Sequence, residues 1–245
     1  RDPPRIVGRV GGHCMSRIKI GVPSKGRLMD LTFDWFATRG VTMRRTGAER
    51  EYSGAVDGVS GVDLVLLSAS EIPREMAAGR IHMGVTGTDL VFEKLADPLA
   101  QVEVLSEMGF GHADLIIAVP ECWVDVETLD DLDAVAAAFR ADHGFRLRIA
   151  TKYHRLVRDF LRQQGVADYQ LVDSQGATEV TIQILSPEAL VNITSTGETL
   201  RANHLKILEI EPVLRSQATL FRARSADWDA ATLDVLAQLR RKLGV

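Results

Sequence analysis

The chain has 245 residues, 46% hydrophobic and 25% charged, with 29 Lys+Arg against 33 Asp+Glu and a formal charge of −4. That globular composition excludes the disordered, collagen-like and disulfide-scaffold classes, and the acidic balance argues against a dedicated nucleic-acid binder. The length suits one large domain or two lobes, and a local positive pocket can still form on an acidic protein.

Residues 1–14, RDPPRIVGRVGGHC, are rich in Pro, Gly and Arg and precede Met15. Residues 1–17 are expected to be a disordered leader, with Met15 the natural start. The leader lacks the apolar stretch of a signal peptide, and nowhere is there the run of ~18 apolar residues a membrane helix needs. The two cysteines, Cys14 and Cys122, lack C-x-x-C spacing, so neither a disulfide framework nor a Cys-based zinc site is supported. The expectation is a soluble chain in a reducing, cytoplasmic compartment, with no membrane or nucleic-acid partner.

From Ile18 onward, short apolar runs alternate with helical patterns, which reads as an α/β fold. Strands are expected at Ile18–Val22, Leu64–Ser68, Met83–Thr86, Leu115–Val119, Arg148–Thr151, Tyr169–Val172, Ala189–Thr194 and Thr219–Arg222. Several are continuous and β-branched, as where helices cover both faces of a sheet. Helices are expected at Leu28–Arg39, Ser70–Ala78, Asp89–Leu95, Leu129–His143, Tyr153–Gln164, Thr199–Asn203 and Ala226–Leu243, with Ser225 as the last one's N-cap. Gly-containing turns near Gly109–Gly111 and Gly197 suggest two chain crossings. The first lobe would then be 18–111 plus 196–245, and 112–195 an inserted second lobe, with a ligand cleft between them.

Four strand-end loops carry candidate chemistry. In Ala189–Leu200, ALVNITSTGETL, an apolar strand runs into a hydroxyl-dense loop around Gly197 and then a helix. Convergent backbone amides, the hydroxyls of Thr194, Ser195, Thr196 and Thr199, and a helix N-terminus suit a phosphate, although a plain N-capped helix explains Ser and Thr equally well. In Val22–Leu28, VPSKGRL, Lys25 and Arg27 flank Gly26 at a helix start, where cations oppose the helix dipole and a bound anion would relieve them. The alternative there is a solvated turn. Arg44, Arg45 and Arg50 could add positive potential, though each alone reads as a surface charge. In Gly84–Asp89, GVTGTD, Asp89 reads best as a helix cap, with Thr86 and Thr88 open to a ligand. In Asp173–Glu179, DSQGATE, Glu179 could orient a sugar hydroxyl or a water. There is no nucleophile triad, no H-E-x-x-H and no G-x-G-x-x-G, and His82, His112, His143, His154 and His204 lack metal-ligand spacing.

Taken together, PSKGRL (23–28), SEIPREMAAGRIHMGVTGTDLVFE (70–93), MGFGHADL (108–115), RIATKYHRLVRDFL (148–161) and SQGATE through ITSTGETLRANHL (174–205) occur in the order found in short-form ATP phosphoribosyltransferase. The chain resembles that family over most of 18–221. The resemblance implies a two-lobed fold like a type II periplasmic binding protein, with the active site in the cleft. It implies the first step of histidine biosynthesis, in which N1 of ATP displaces pyrophosphate from phosphoribosyl pyrophosphate. Such a site aligns two polyanions and stabilises the leaving group with cations and Mg²⁺, so it needs no side-chain nucleophile.

Carried over by position, the candidate catalytic residues are Lys25, Arg27 and Glu179. Asn192, Thr194, Ser195, Thr196, Gly197, Glu198 and Thr199 are candidates for phosphoribosyl pyrophosphate, and Lys25, Gly26, Arg27, Arg50 and Gly87 for ATP. The cofactor implied is Mg²⁺, held mainly by substrate phosphates rather than by the chain. The implied partners are a histidyl-tRNA-synthetase-like regulatory subunit and a second copy of this chain. Two positions depart from the family pattern. Asn192 stands where an acid is usual, and Val180–Leu185, VTIQIL, is unusually apolar. Weaker affinity for phosphoribosyl pyrophosphate is the expected consequence. The competing readings are a two-lobed receptor for a small anion, a catalytically impaired paralogue, and a nucleobase phosphoribosyltransferase; the last lacks its two adjacent acids, because Asn192-Ile193 stands there.

Overall fold

Strand β1 (Ile18–Pro23) buries Ile18, Ile20 and Val22 completely, because it is a central parallel strand with helices on both faces. The computed structural model describes residues 17–46, 53–174 and 188–245. After β1 come α1 (Gly26–Ala37), β2 (Thr42–Arg45), β3 (Ser53–Asp57), β4 (Val62–Leu67), α2 (Ile72–Ala77), β5 (Met83–Gly87), α3 (Thr88–Lys94), α4 (Pro98–Gln101) and β6 (Val102–Glu107). Next are β7 (Ala113–Pro120), α5 (Leu129–His143), β8 (Leu147–Thr151), α6 (His154–Gln163), β9 (Tyr169–Asp173) and β10 (Ala189–Thr194). The chain continues through α7 (Glu198–Ala202), β11 (Leu205–Ile207), β12 (Leu214–Ser216), β13 (Ala218–Ala223) and α8 (Ala230–Leu243).

The strands form two sheets. The first runs β2-β3-β4-β1-β5-β13-β6, and the second β11-β7-β10-β8-β9, with β12 also paired to β7. Trp35 and Phe36 of α1 and Leu239 and Leu243 of α8 cover one face of the first sheet; Ile72, Met76 and Val91 of α2 and α3 cover the other. In the second sheet, Ala189 and Val191 of β10 face Leu132 of α5 and Val157 and Leu161 of α6. Leu190, between them, faces Leu200 of α7 on the opposite side, as the two-residue period of a strand requires.

The sheets place the return of the chain to the first lobe at Gln217, not at 195–196. β11 and β12 both pair antiparallel with β7, so residues 196–216 stay with the second sheet. The two crossings run side by side. Ala218 N–H donates to Phe110 O at 2.9 Å, and Gly109 N–H to Gln217 Oε1 at 3.3 Å. The last helix also starts later than expected. Asp229, not Ser225, is its N-cap and accepts from Thr232 N–H at 2.8 Å, while Ser225 Oγ donates to the carbonyls of Met76 and Ala77. Strands β2, β3, β6, β11 and β12 lie outside the expected set.

His82 illustrates how tightly the first lobe is closed. Its Nδ1 accepts from Lys19 N–H at 3.2 Å, so Nε2 carries the proton and faces Asp227 O at 3.2 Å. Burial, with a contribution from the Lys19 charge, holds the imidazole below its ordinary value. The unfolded chain therefore takes up a proton near pH 6.5 that the folded chain resists, and stability falls as pH drops below 6.5. Thermal denaturation from pH 7.5 to 5.5 should show a steeper loss for the wild type than for His82→Asn, whose amide oxygen can accept from Lys19 without titrating.

Candidate active site

β1, β4 and β5 are mutually parallel, so Pro23, Leu67 and Gly87 end at one edge of the first sheet. β8, β9 and β10 are likewise parallel and end at Thr151, Asp173 and Thr194 on one edge of the second. Each edge is joined by an antiparallel strand that continues a crossing, with Ala218 opposite Gly87 and Asp114 opposite Thr194. Both sets of strand-end loops therefore adjoin the crossings, which is the ligand position of open α/β sheets. Ser195 Oγ donates to His112 O at 2.9 Å, and Thr88 N–H to Gln217 O at 3.2 Å, tying one loop from each lobe to the crossing segments.

The hydroxyl loop folds around Gly197, whose φ of 71° lies in the left-handed region. Gly197 N–H donates to Thr194 Oγ1 at 2.9 Å and Glu198 N–H to Thr196 Oγ1 at 3.3 Å, while the Arg201 guanidinium holds Thr196 O at 3.0 Å. Ser195, Thr196, Glu198 and Thr199 are exposed, and Gly197 is buried. Helix α7 has only five residues, so an anion at this loop would be met by side-chain hydroxyls more than by a macrodipole. Asn192 is half-buried on β10, two residues before Thr194 and hence on the same strand face. Its Oδ1 accepts from Ile193 N–H at 2.9 Å.

Lys25, Gly26 and Arg27 are exposed at the start of α1, whose first turn carries no acid. Among the described residues neither cation is in an ion pair. Arg45 donates to Ser24 O at 2.8 Å and so buttresses this loop, whereas Arg44 is paired with Asp57 at 2.6 Å. Arg50, Glu179 and the run Val180–Leu185 lie outside the described residues.

The GVTGTD junction differs from expectation. Gly87, not Asp89, is the N-cap of α3, and the first-turn amide of Asp89 donates instead to Ser216 Oγ at 3.1 Å. Asp89 is 5% exposed, and its carboxylate accepts from Ser216 Oγ at 2.6 Å and from Tyr153 Oη at 2.8 Å, both on second-lobe elements. Burial, then the Asp89 charge, push the Tyr153 phenol far above its ordinary value, so it stays a donor. A Cβ on Gly87 would stand 2.2 Å from Asp89 Oδ1, so the glycine leaves room for that carboxylate. Thr86 donates to Ala69 O, and Thr88 is bonded to the crossing at Gln217, so these hydroxyls serve the protein rather than open toward a ligand. Sequence reasoning assigned no role to Tyr153, although the matched RIATKY stretch contains it.

A family model described as ATP phosphoribosyltransferase matches residues 68–243. An ATP phosphoribosyltransferase of Cereibacter sphaeroides is 71% identical over 228 residues, 93% of this chain and 96% of that one. One of Rhodopseudomonas palustris is 46% identical over 215 residues, 88% of this chain but 66% of that longer one. Among solved structures, a chain of the ATP phosphoribosyl transferase (HisG:HisZ) complex from Thermotoga maritima aligns with TM-score 0.67 at 17% identity, covering 93% of this chain and 98% of that one. A histidine kinase sensor domain described as similar to periplasmic binding proteins aligns at TM-score 0.50 and 12% identity, over 93% and 89%. The structural likenesses show a two-lobed, periplasmic-binding-protein-like fold, and the sequence matches settle the lineage: the chain belongs to the ATP phosphoribosyltransferase family.

Proposed function

We propose that the chain is an ATP phosphoribosyltransferase, joining N1 of ATP to C1 of the ribose of phosphoribosyl pyrophosphate with loss of pyrophosphate, the first step of histidine biosynthesis. The observation that supports this reading is that two loops suited by composition to anions lie at strand-end edges adjoining the crossings. One presents Lys25 and Arg27, in no ion pair among the described residues, at the start of α1, and the other the hydroxyls around Gly197. Displacement at an anomeric carbon needs alignment of two polyanions and neutralisation of the leaving group, which such loops supply without a covalent intermediate.

In this reading Thr194–Thr199 hold the 5-phosphate of the sugar, Asn192 lies beside the ribose, and Lys25 and Arg27 face the pyrophosphate or the triphosphate. Gly26 and Gly87 shape the first-lobe loops, with Arg50 and Glu179 as further family-matched contributors. Mg²⁺ is proposed to enter on the substrate's phosphate oxygens and to withdraw charge from the leaving group. The described groups on these loops are hydroxyls, amides, the cations Lys25 and Arg27 and the single carboxylate of Glu198, which fit a phosphate-held ion rather than one caged by side chains.

A histidyl-tRNA-synthetase-like regulatory subunit and a homodimer within a hetero-oligomer are proposed as partners, supported by the fold shared with a chain of the Thermotoga complex. The compartment proposed is the cytoplasm. Among the described residues no helix is long and apolar enough to cross a membrane.

The direct test is phosphoribosyl-ATP formation from the two substrates with Mg²⁺, with and without that subunit. Product in its presence supports the assignment, and ligand binding without product under either condition overturns it. Restoring an acid at Asn192 should sharpen the site. An amide can bond a ribose hydroxyl but brings no charge to a cation-rich region. Calorimetry should find Asn192→Asp binding phosphoribosyl pyrophosphate several-fold more tightly, about one charge-assisted hydrogen bond's worth at most; equal or poorer binding would remove the idea.

A further inference from the structure

Helix α6 begins without a cap of its own. Its N-cap residue, Tyr153, makes no side-chain bond to the first-turn amides, and the first turn carries no acid. Arg155 instead puts a cation where the helix dipole disfavours one. By contrast, α5 carries its own capping box, Thr128 with Asp131, and α8 is capped by Asp229. The acceptor that α6 lacks comes from the other lobe. Glu93, in the last turn of α3, accepts from Arg155 N–H at 3.2 Å through each oxygen and from Leu156 N–H at 3.1 Å. The Arg155 guanidinium reaches back across the same gap to the carbonyl of Ala96.

We infer that Glu93 and Arg155 form an interlobe latch, in which a first-lobe carboxylate caps a second-lobe helix and so sets the angle at which the two strand-end edges face each other. Besides the bonds from Ser216 and Tyr153 to Asp89, the described residues join the lobes through the two crossings, 108–112 and 217, which can act as a hinge. Opening that hinge would strip the first α6 amides of their acceptor, so formation of the helix start and apposition of the lobes are coupled. The turn between β8 and α6, Lys152-Tyr153, is one of the strand-end loops, and the latch fixes its far end. Glu93 is a positioning residue, because its carboxylate is bound to backbone amides rather than aimed at a ligand. Its bearing on turnover rests on the proposed reaction; its bearing on lobe geometry does not.

Spin labels at the exposed Ala78 and Ala138, one in each lobe, would report the interlobe distance in a full chain whose Cys14 and Cys122 are replaced by serine. The parent chain should give one narrow distribution, and Glu93→Ala a broadened one. Hydrogen exchange at the Arg155 and Leu156 amides should quicken in the same variant. Its kcat/KM should fall about tenfold, mostly through KM, because the aligned arrangement becomes a smaller fraction of the ensemble. Glu93→Gln, which keeps an acceptor oxygen, should lie between. An unchanged distance distribution and unchanged KM in Glu93→Ala, with only a lower Tm, would overturn the latch. Should no chain, wild type included, form product while the Ala variant broadens, the reaction assignment fails and the latch stands.

Discussion

Replacing Gly197 with valine is expected, in the proposed reaction, to lower kcat/KM for phosphoribosyl pyrophosphate about a hundredfold, because it displaces the loop proposed to hold the 5-phosphate and a misplacement of about 1 Å has effects of that size. Gly197 sits at φ 71°, where a side chain costs about 1–2 kcal/mol and a β-branched one strains most. A Cβ there would lie 3.1 Å from Arg201 Nη1 and 3.4 Å from Ile207 Cδ1. The Arg201 guanidinium also holds the Thr196 carbonyl, so its displacement shifts the hydroxyls on both sides of the turn. At this chain length the strain amounts to a fall in Tm of about 2–4 °C per kcal/mol, so the variant stays folded in the assay. Gly144→Val is the matched control. That residue has φ 76° at the C-terminus of α5, away from the strand-end loops, and the variant should lose comparable stability and keep its turnover. Turnover of Gly197→Val within threefold of wild type would mean that the loop does not grip substrate.

How far such a site can be read from sequence depends on which interactions define it. Continuous apolar runs such as Leu115–Val119 announce themselves, because both faces of a central strand are buried there. Thr42–Arg45 and Leu214–Ser216 do not: they are short and mostly polar, and are held by a neighbour's backbone rather than by their own pattern. That is why the return to the first lobe was expected near Gly197. The turn there has a strong local signature, whereas β11 and β12, three residues each, are too short to show a period. Asp89 fails for a related reason. An acid just after a strand–glycine junction is locally indistinguishable from an N-cap, and its real partners, Tyr153 and Ser216, are 64 and 127 residues away. The hydroxyl loop and the Lys25–Arg27 pair were legible because each draws its residues from one contiguous stretch. The contacts across the lobes were not, since they exist only once both sheets are built.

The Lys25–Arg27 loop yields a prediction in which activity and stability move in opposite directions. Lys25 is the N-cap of α1, in extended conformation, with no side-chain bond to the helix amides and no acid in the first turn. For the helix alone this is a poor choice: an aspartate there would accept from a first-turn amide and complement the dipole, together adding about 1–2 kcal/mol. Lys25→Asp should therefore raise Tm by a few degrees in calorimetry. In the proposed reaction it should also reduce kcat/KM by at least about a hundredfold, because a charge-assisted contact to a phosphate, worth about 1.5–3 kcal/mol, becomes a repulsion. Arg27→Ala should cost about tenfold or more and likewise leave Tm unchanged or slightly higher. Wild-type kcat/KM should decline with ionic strength, and the decline should flatten in both variants as the steering charge is lost. A rise in Tm with activity retained would make Lys25 an unoptimised surface residue. A fall in both would make it structural. Only the crossed outcome shows a helix start kept suboptimal because the anion it receives is the substrate.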